Sequence, residues 1–171
     1  MMNFTGALGA VVITAFISLA PAHAQSAGAG LRITYQGLTT TFSIEQIAAL
    51  PHQTITAFDA HQKKNHDYSG VPVQALLAKV GVAFGEKLRG AAMRQVVVVR
   101  THDHYDVAFA LAEFDPAFRP NAILLVDRED GATMGEGAGP LRLVAPGDLR
   151  PARWARMIES IDIVSVGEGR S

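Results

Sequence analysis

Four consecutive valines, Val96 to Val99, constrain this chain more than any other stretch. Their branched side chains restrict χ1 and favour extended backbone. A run with no polar member leaves neither face for water, so it reads as a strand covered on both sides. Such a strand needs packed layers around it, and the domain must therefore be organised on a sheet. The neighbouring segments agree. Val107, Phe109 and Leu111 alternate after a turn, and Ala122 to Val126 is a second apolar strand ended by Asp130-Gly131. Leu141 to Ala145 is another, and a last strand runs through Ile158, Ile161, Ile163 and Val166.

Helical signals are few and short. Leu31 to Phe42 reads as two strands around Gln36-Gly37. Ser43-Ile44-Glu45-Gln46 has the spacing of a capping box, which predicts a helix running to Leu50 and stopping before Pro51. Gln53 to Phe58 reads as a strand, and the polar stretch Ala60 to Asp67 as a loop. Val71-Pro72 opens the next helix, with Val73, Leu76, Leu77 and Val80 at helical spacing and Gly81 as its stop. Gly135 to Pro140 is a glycine-rich loop, and Pro146-Gly147-Asp148 a turn. Strands outnumber helices and no internal repeat stands out. The expected architecture is α+β: one domain with a mixed β-sheet or barrel and short helices.

The N-terminus is set apart from this pattern. Gly6 to Ala20 is an apolar run interrupted only by Thr14 and Ser18, followed by Pro21 and then Ala22-His23-Ala24. Small residues around the last position suit signal peptidase. The run falls short of the roughly 20 apolar residues that span a bilayer. Residues 1–24 are therefore expected to be a cleaved signal peptide, with residues 25–171 the domain and the periplasm its compartment; a single membrane anchor is the alternative. The n-region departs from the usual pattern in carrying no Lys or Arg.

The chain contains no cysteine. An oxidising compartment permits disulfides without requiring them, and a chain of this length buries a core without staples. The absence does exclude thiolate catalysis, thiolate metal ligands and iron–sulfur clusters. Charge is balanced, with 15 Lys+Arg against 16 Asp+Glu, so no global field favours nucleic acid. Neither a P-loop nor a dinucleotide-binding glycine pattern occurs, and no Gly-x-Ser-x-Gly marks a serine hydrolase.

The order of the short motifs carries more than any one of them. Tyr68-Ser69-Gly70-Val71-Pro72-Val73-Gln74-Ala75-Leu76-Leu77 is followed by Asp103-His104-Tyr105, then by Leu124-Leu125-Val126-Asp127 running to Gly131. Gly139-Pro140-Leu141-Arg142-Leu143-Val144-Ala145-Pro146-Gly147 and Ala152-Arg153-Trp154-Ala155-Arg156 complete the series. In this order the five resemble the molybdopterin-binding domain of the sulfite oxidase type, over roughly Thr54 to Val164. The resemblance implies that family's fold and a pocket for a pterin or molybdopterin-like ligand. It places Asp103 and Tyr105 at the pterin edge, and Arg142, Arg153, Trp154 and Arg156 against the pterin or its phosphate. The chemistry suits those residue types: a carboxylate matches a donor edge, an indole matches a flat ring, and guanidinium forks match phosphate.

The family's molybdenum-binding cysteine belongs near Thr56 to Asp59, about where Phe58 stands. Without it, no protein-ligated molybdenum is expected and no catalytic residue is assigned. Short exported members of this kind include proteins thought to bind reduced pterins and to pass that signal to a membrane-bound protein partner. A pterin-binding module without catalysis is thus the first expectation. A molybdopterin oxidoreductase with metal held only by the cofactor's dithiolene is the second, and a subunit that keeps the fold without the ligand the third.

Each candidate also has a plainer reading. Asp103, His104 and Tyr105 suit an ordinary tight turn. Arg142 in an apolar strand would serve as an outward-facing charge. Arg153 and Arg156 could cover a surface near Glu159 and Asp162, and a lone tryptophan is usually buried. His102 and His104, with His61 and His66 on the nearby loop, would suit Zn or Cu, but their spacing fixes no third ligand and no metal site is assigned.

Overall fold

The computed structural model describes residues 1, 30–135 and 137–167. The proposed signal peptide falls outside these residues apart from Met1. β1 (Gly30–Tyr35) and β2 (Leu38–Ser43) form a hairpin, as the sequence predicts. At its turn Gln36 and Gly37 both take positive φ, 51° and 77°, the requirement of a two-residue type I′ connection. α1 (Ile44–Ala48) starts on a complete capping box, with Gln46 N donating to Ser43 Oγ and Ser43 N donating to Gln46 Oε1. It ends two residues short of the predicted Leu50.

β3 (Gln53–Asp59) pairs antiparallel with β4 (Lys64–Pro72). The predicted loop Ala60 to Asp67 is therefore corrected: Lys64 to Asp67 belong to β4. Their polarity misleads because Lys64, Asn65 and Asp67 face outward. The buried member, His66, satisfies Nδ1 against Asp130 and Glu129 at 2.8 and 3.1 Å. Gly70 lies where β4 crosses close to its neighbour; a Cβ there would overlap the Leu125 carbonyl oxygen and Val126 Cα. α2 (Val73–Lys79) follows, burying Val73, Leu76 and Leu77.

Two 3₁₀ turns, Gly85–Lys87 and Gly90–Arg94, lead to β5 (Gln95–Thr101) and its hairpin partner β6 (Asp106–Ala110). After the 3₁₀ turn Leu111–Phe114 come β7 (Leu124–Glu129), the two-residue β8 (Ala132–Thr133) and β9 (Arg142–Val144). A further 3₁₀ turn, Pro151–Arg153, precedes β10 (Ile158–Ser165).

The strands form two sheets. One has the order β2-β1-β10-β5-β6, and the other β3-β4-β7-β8 with β9 also on β7. Only β1 and β10 pair in parallel; every other described pair is antiparallel. The α+β class with mixed sheets and short helices stands, while the barrel alternative does not: both sheets keep open edges among the described residues.

Inward residues of both sheets and of α2 join one core, including Leu31, Ile33, Tyr68, Leu76, Val97, Leu125, Leu143 and Ile161. The valine run is corrected in one respect. Val97 and Val99 are buried, but Val96 and Val98 are half-buried on the other face of β5. Strands buried on both faces are instead β7, from Leu124 to Asp127, and β9, from Arg142 to Val144. Among the described residues no helix is long and apolar enough to cross a membrane.

Candidate functional site

A cavity of about 350 Å³ opens beside the β5–β6 turn, β9 and the segment 151–157. Five of the six sequence-predicted residues line it: Asp103, Tyr105, Arg142, Trp154 and Arg156. Asp59, His61 and Met157 join them.

Asp103 is held by its own turn. The Thr101 hydroxyl hydrogen-bonds its Oδ1, and His104 closes the turn with a positive φ of 64°. The Thr101 hydrogen bond keeps the Asp103 carboxyl below the usual range, so it is ionised at neutral pH. Its Oδ2 makes no hydrogen bond among the described residues. Tyr105 reaches across from the same turn: its hydroxyl donates to the Ala152 carbonyl at 2.7 Å.

Arg142 corrects the plain reading of an outward-facing strand charge. It is 3 % exposed, and its guanidinium donates to Asp59 Oδ2 at 3.1 Å and to the Tyr68 hydroxyl at 3.4 Å. It also lies 5.2 Å from the Tyr68 ring centre and 5.7 Å from the Trp154 ring, while its Nε has no partner. Asp59 is saturated in turn, because Oδ1 accepts from the backbone N–H of His61 and of Gln62. Burial pushes the Asp59 carboxyl up, but the hydrogen bonds from Arg142, Gln62 and His61 outweigh it and hold the group at about 2. Burial likewise raises the Tyr68 phenol to about 12, against the pull of Arg142.

Trp154 is buried, donates Nε1–H to the Ala145 carbonyl at 3.0 Å and meets Tyr68 edge-on, ring centres 5.8 Å apart. Its polar atom is therefore occupied, and only ring surface is offered to the cavity. Arg156 is exposed and forms no ion pair among the described residues.

Arg153 is not brought into the cavity. Its guanidinium forks onto Asp148 at 2.7 and 2.9 Å and onto Glu113 at 3.1 Å, and lies 4.1 Å over the Phe109 ring. Arg119 bridges the same two carboxylates. Four opposed charges so pin the 148–153 segment that walls the cavity.

Sequence reasoning missed Asp59 as a wall residue. The available signal was its place at the end of the segment where the resemblance puts the family's cysteine. The histidines do not converge: His102 Nδ1 bonds Glu159 at 2.7 Å, and His66 faces Glu129 and Asp130. No three His, Cys, Asp or Glu side chains among the described residues form a metal-binding group. A larger groove of about 1000 Å³, lined by His52, Pro72, Gln74, Phe114, Pro116 and Pro120 among others, shares no residue with the first cavity. Its size does not make it the site, because none of the residues implied by the resemblance reaches it.

The side chains present do not fit thiolate-held molybdenum. The segment that would carry the ligand ends in Asp59, whose four contacts leave no lone pair turned to a metal, and no cysteine exists elsewhere.

No protein-family model and no curated protein matches the chain. Among solved structures it is similar to the sulfane dehydrogenase SoxCD from Paracoccus pantotrophus, at 19% identity and a TM-score of 0.62. The similarity covers 81% of this chain and 39% of that one, so this chain matches well under half of the neighbour's length. At this identity the likeness concerns the fold, which is distantly sulfite oxidase-like.

Proposed function

We propose that this protein is a periplasmic pterin-binding module that catalyses nothing itself and signals through a membrane-bound protein partner. One observation carries the reading. A ring-sized cavity gathers a carboxylate with a free oxygen, an indole face and an unpaired guanidinium, in a chain that contains no cysteine. The Asp103 carboxylate suits the amino and ring N–H donors of a pterin, and Trp154 and Tyr105 supply flat surface. The apolar leader ending in Ala22-His23-Ala24 supports export. Since Arg153 is consumed by Asp148 and Glu113, and Arg142 by Asp59, Arg156 is left as the cation for an anionic ligand group.

Likeness to a sulfane dehydrogenase favours a second reading, a molybdopterin oxidoreductase or redox subunit. Metal analysis of natively purified protein, with fluorescence of the small molecules released on denaturation, separates the two. Released reduced pterin without molybdenum supports the binding module, and stoichiometric molybdenum overturns it. Titration with a reduced pterin should weaken at least about tenfold in Asp103→Asn, the order of one charge-assisted hydrogen bond. Unchanged affinity removes Asp103 from the site.

A further inference from the structure

β3 stands at the margin of its sheet, with β4 as its strand neighbour on one side and none on the other. Alternate residues of an edge strand turn their N–H and C=O away from the sheet. Beyond the β4 ladder, no backbone group of Gln53 to Phe58 has a hydrogen-bond partner among the described residues. Edges are usually blunted by charge, by proline or by shortness. β3 uses none of these. It is seven residues long, and Gln53-Thr54-Ile55-Thr56-Ala57-Phe58 carries neither a charge nor a proline. Phe58 is 57 % exposed.

The larger groove, of about 1000 Å³, comes up against this edge. Residues from both faces of β3 line it, Gln53 and Ile55 on one and Thr56 on the other, so it borders the edge instead of lying over a single face. Its remaining walls include α2 and the segment 113–123, with Phe114, Pro116 and Pro120. Most charges in the lining are already spent, His52 on Asp127 and Glu113 on Arg119. Lys79 is exposed and forms no ion pair among the described residues.

We propose that the edge of β3 and this groove together take up an extended segment of a protein partner, which joins the sheet as an added strand. Main-chain hydrogen bonds to β3 hold it, and its alternate apolar side chains pack on Ile55, Phe114 and the prolines. An acidic residue of the segment meets Lys79. A second copy of this chain fits less well, because the one carboxylate on β3, Asp59, is buried against Arg142 and cannot reach Lys79. The inference does not rest on the pterin reading, since the groove and the first cavity share no residue.

The test follows the backbone amides of the isotope-labelled protein by NMR. The titrant is a capped heptapeptide of alternating valine and threonine, extended by one aspartate at each end. The aspartates keep it soluble and meet Lys79 in either strand direction. Saturable shifts at millimolar peptide are expected in Gln53 to Phe58 and in the groove walls, but not in β2, the other uncharged edge. The same peptide with every valine and threonine nitrogen methylated should bind at least about tenfold more weakly, because it has lost the donors that pair with β3. Lys79→Glu, at an exposed position, should weaken the first peptide by about threefold. Absence of binding, shifts shared equally by β2 and β3, or equal affinity for the methylated peptide overturns the proposal. A doubled mass in light scattering, with β3 signals that change on dilution of the protein alone, also overturns it, because a second copy then covers the edge.

Discussion

The Arg142 guanidinium and the Asp59 carboxylate meet at 3.1 Å in the wall of the candidate cavity, with side chains only 4 % and 2 % exposed. They join β9 to the end of β3, two strands that do not pair with each other. A buried pair of this kind adds little over a well-packed apolar pair, but removing one partner strands a charge. Arg142→Met should therefore cost about 3–5 kcal/mol in urea unfolding. Asp59→Asn combined with Arg142→Met should recover part of that loss, because the amide oxygen still accepts from His61 and Gln62 N–H. A single variant with wild-type stability would show that the pair is not closed in solution.

The same pair sets an acid limit on the fold. Asp59 is held at about 2, below its ordinary 3.8, so its contribution is complete above pH 3.8 and is lost as pH falls toward 2. That difference corresponds to roughly 2 kcal/mol. Asp59→Asn should destabilise the protein at pH 7, and the gap to wild type should narrow between pH 4 and pH 2. Urea midpoints measured across that range check the sign; a gap that widens on acidification contradicts it.

Arg153 separates a ligand role from a supporting one. Burial raises the Asp148 carboxyl, but hydrogen bonds from Arg153 and Arg119 hold it below its ordinary value. Arg153→Met should lower stability by about 1–2 kcal/mol, a discounted figure for a partly exposed network, and the loss should shrink in high salt. Affinity for a reduced pterin should fall through the loosened wall, and Arg153→Lys should restore only part of it because one ammonium cannot fork onto two carboxylates. Full affinity loss without any change in stability would return Arg153 to the ligand.

Much of this arrangement was legible in the chain. Local rules carried the hairpin at Gln36-Gly37, the Ser43 capping box and α2, since each depends on residues within a few positions. Ordered motifs brought Asp103, Tyr105, Arg142, Trp154 and Arg156 to one cavity. What remained illegible depends on partners far along the chain. Nothing near Arg153 announces Glu113, 40 positions away, and nothing near Lys64 to Asp67 says that Asp130 will receive His66 and turn a polar stretch into a strand. The valine run misled for the same reason: coverage of the second face of β5 depends on elements far along the chain, and they leave Val96 and Val98 half-buried.

Trp154 joins the fold to the site most directly, because its ring faces the cavity while its N–H is spent on Ala145. Trp154→Phe keeps a flat apolar ring but removes one of the two donors to the buried Ala145 carbonyl, the other being Asp148 N–H at 3.0 Å. The expected loss is about 0.5–1.5 kcal/mol of stability, the net worth of one neutral hydrogen bond. If the ring also stacks on the ligand, the smaller phenyl face should weaken reduced-pterin binding by a few-fold, about 0.5–1.5 kcal/mol. Trp154→Leu should lose more, since it removes the π surface altogether. Denaturation and calorimetry on the same preparations distinguish the two roles. A stability loss with unchanged affinity in both variants would make Trp154 a core residue and leave Tyr105 as the aromatic face of the cavity.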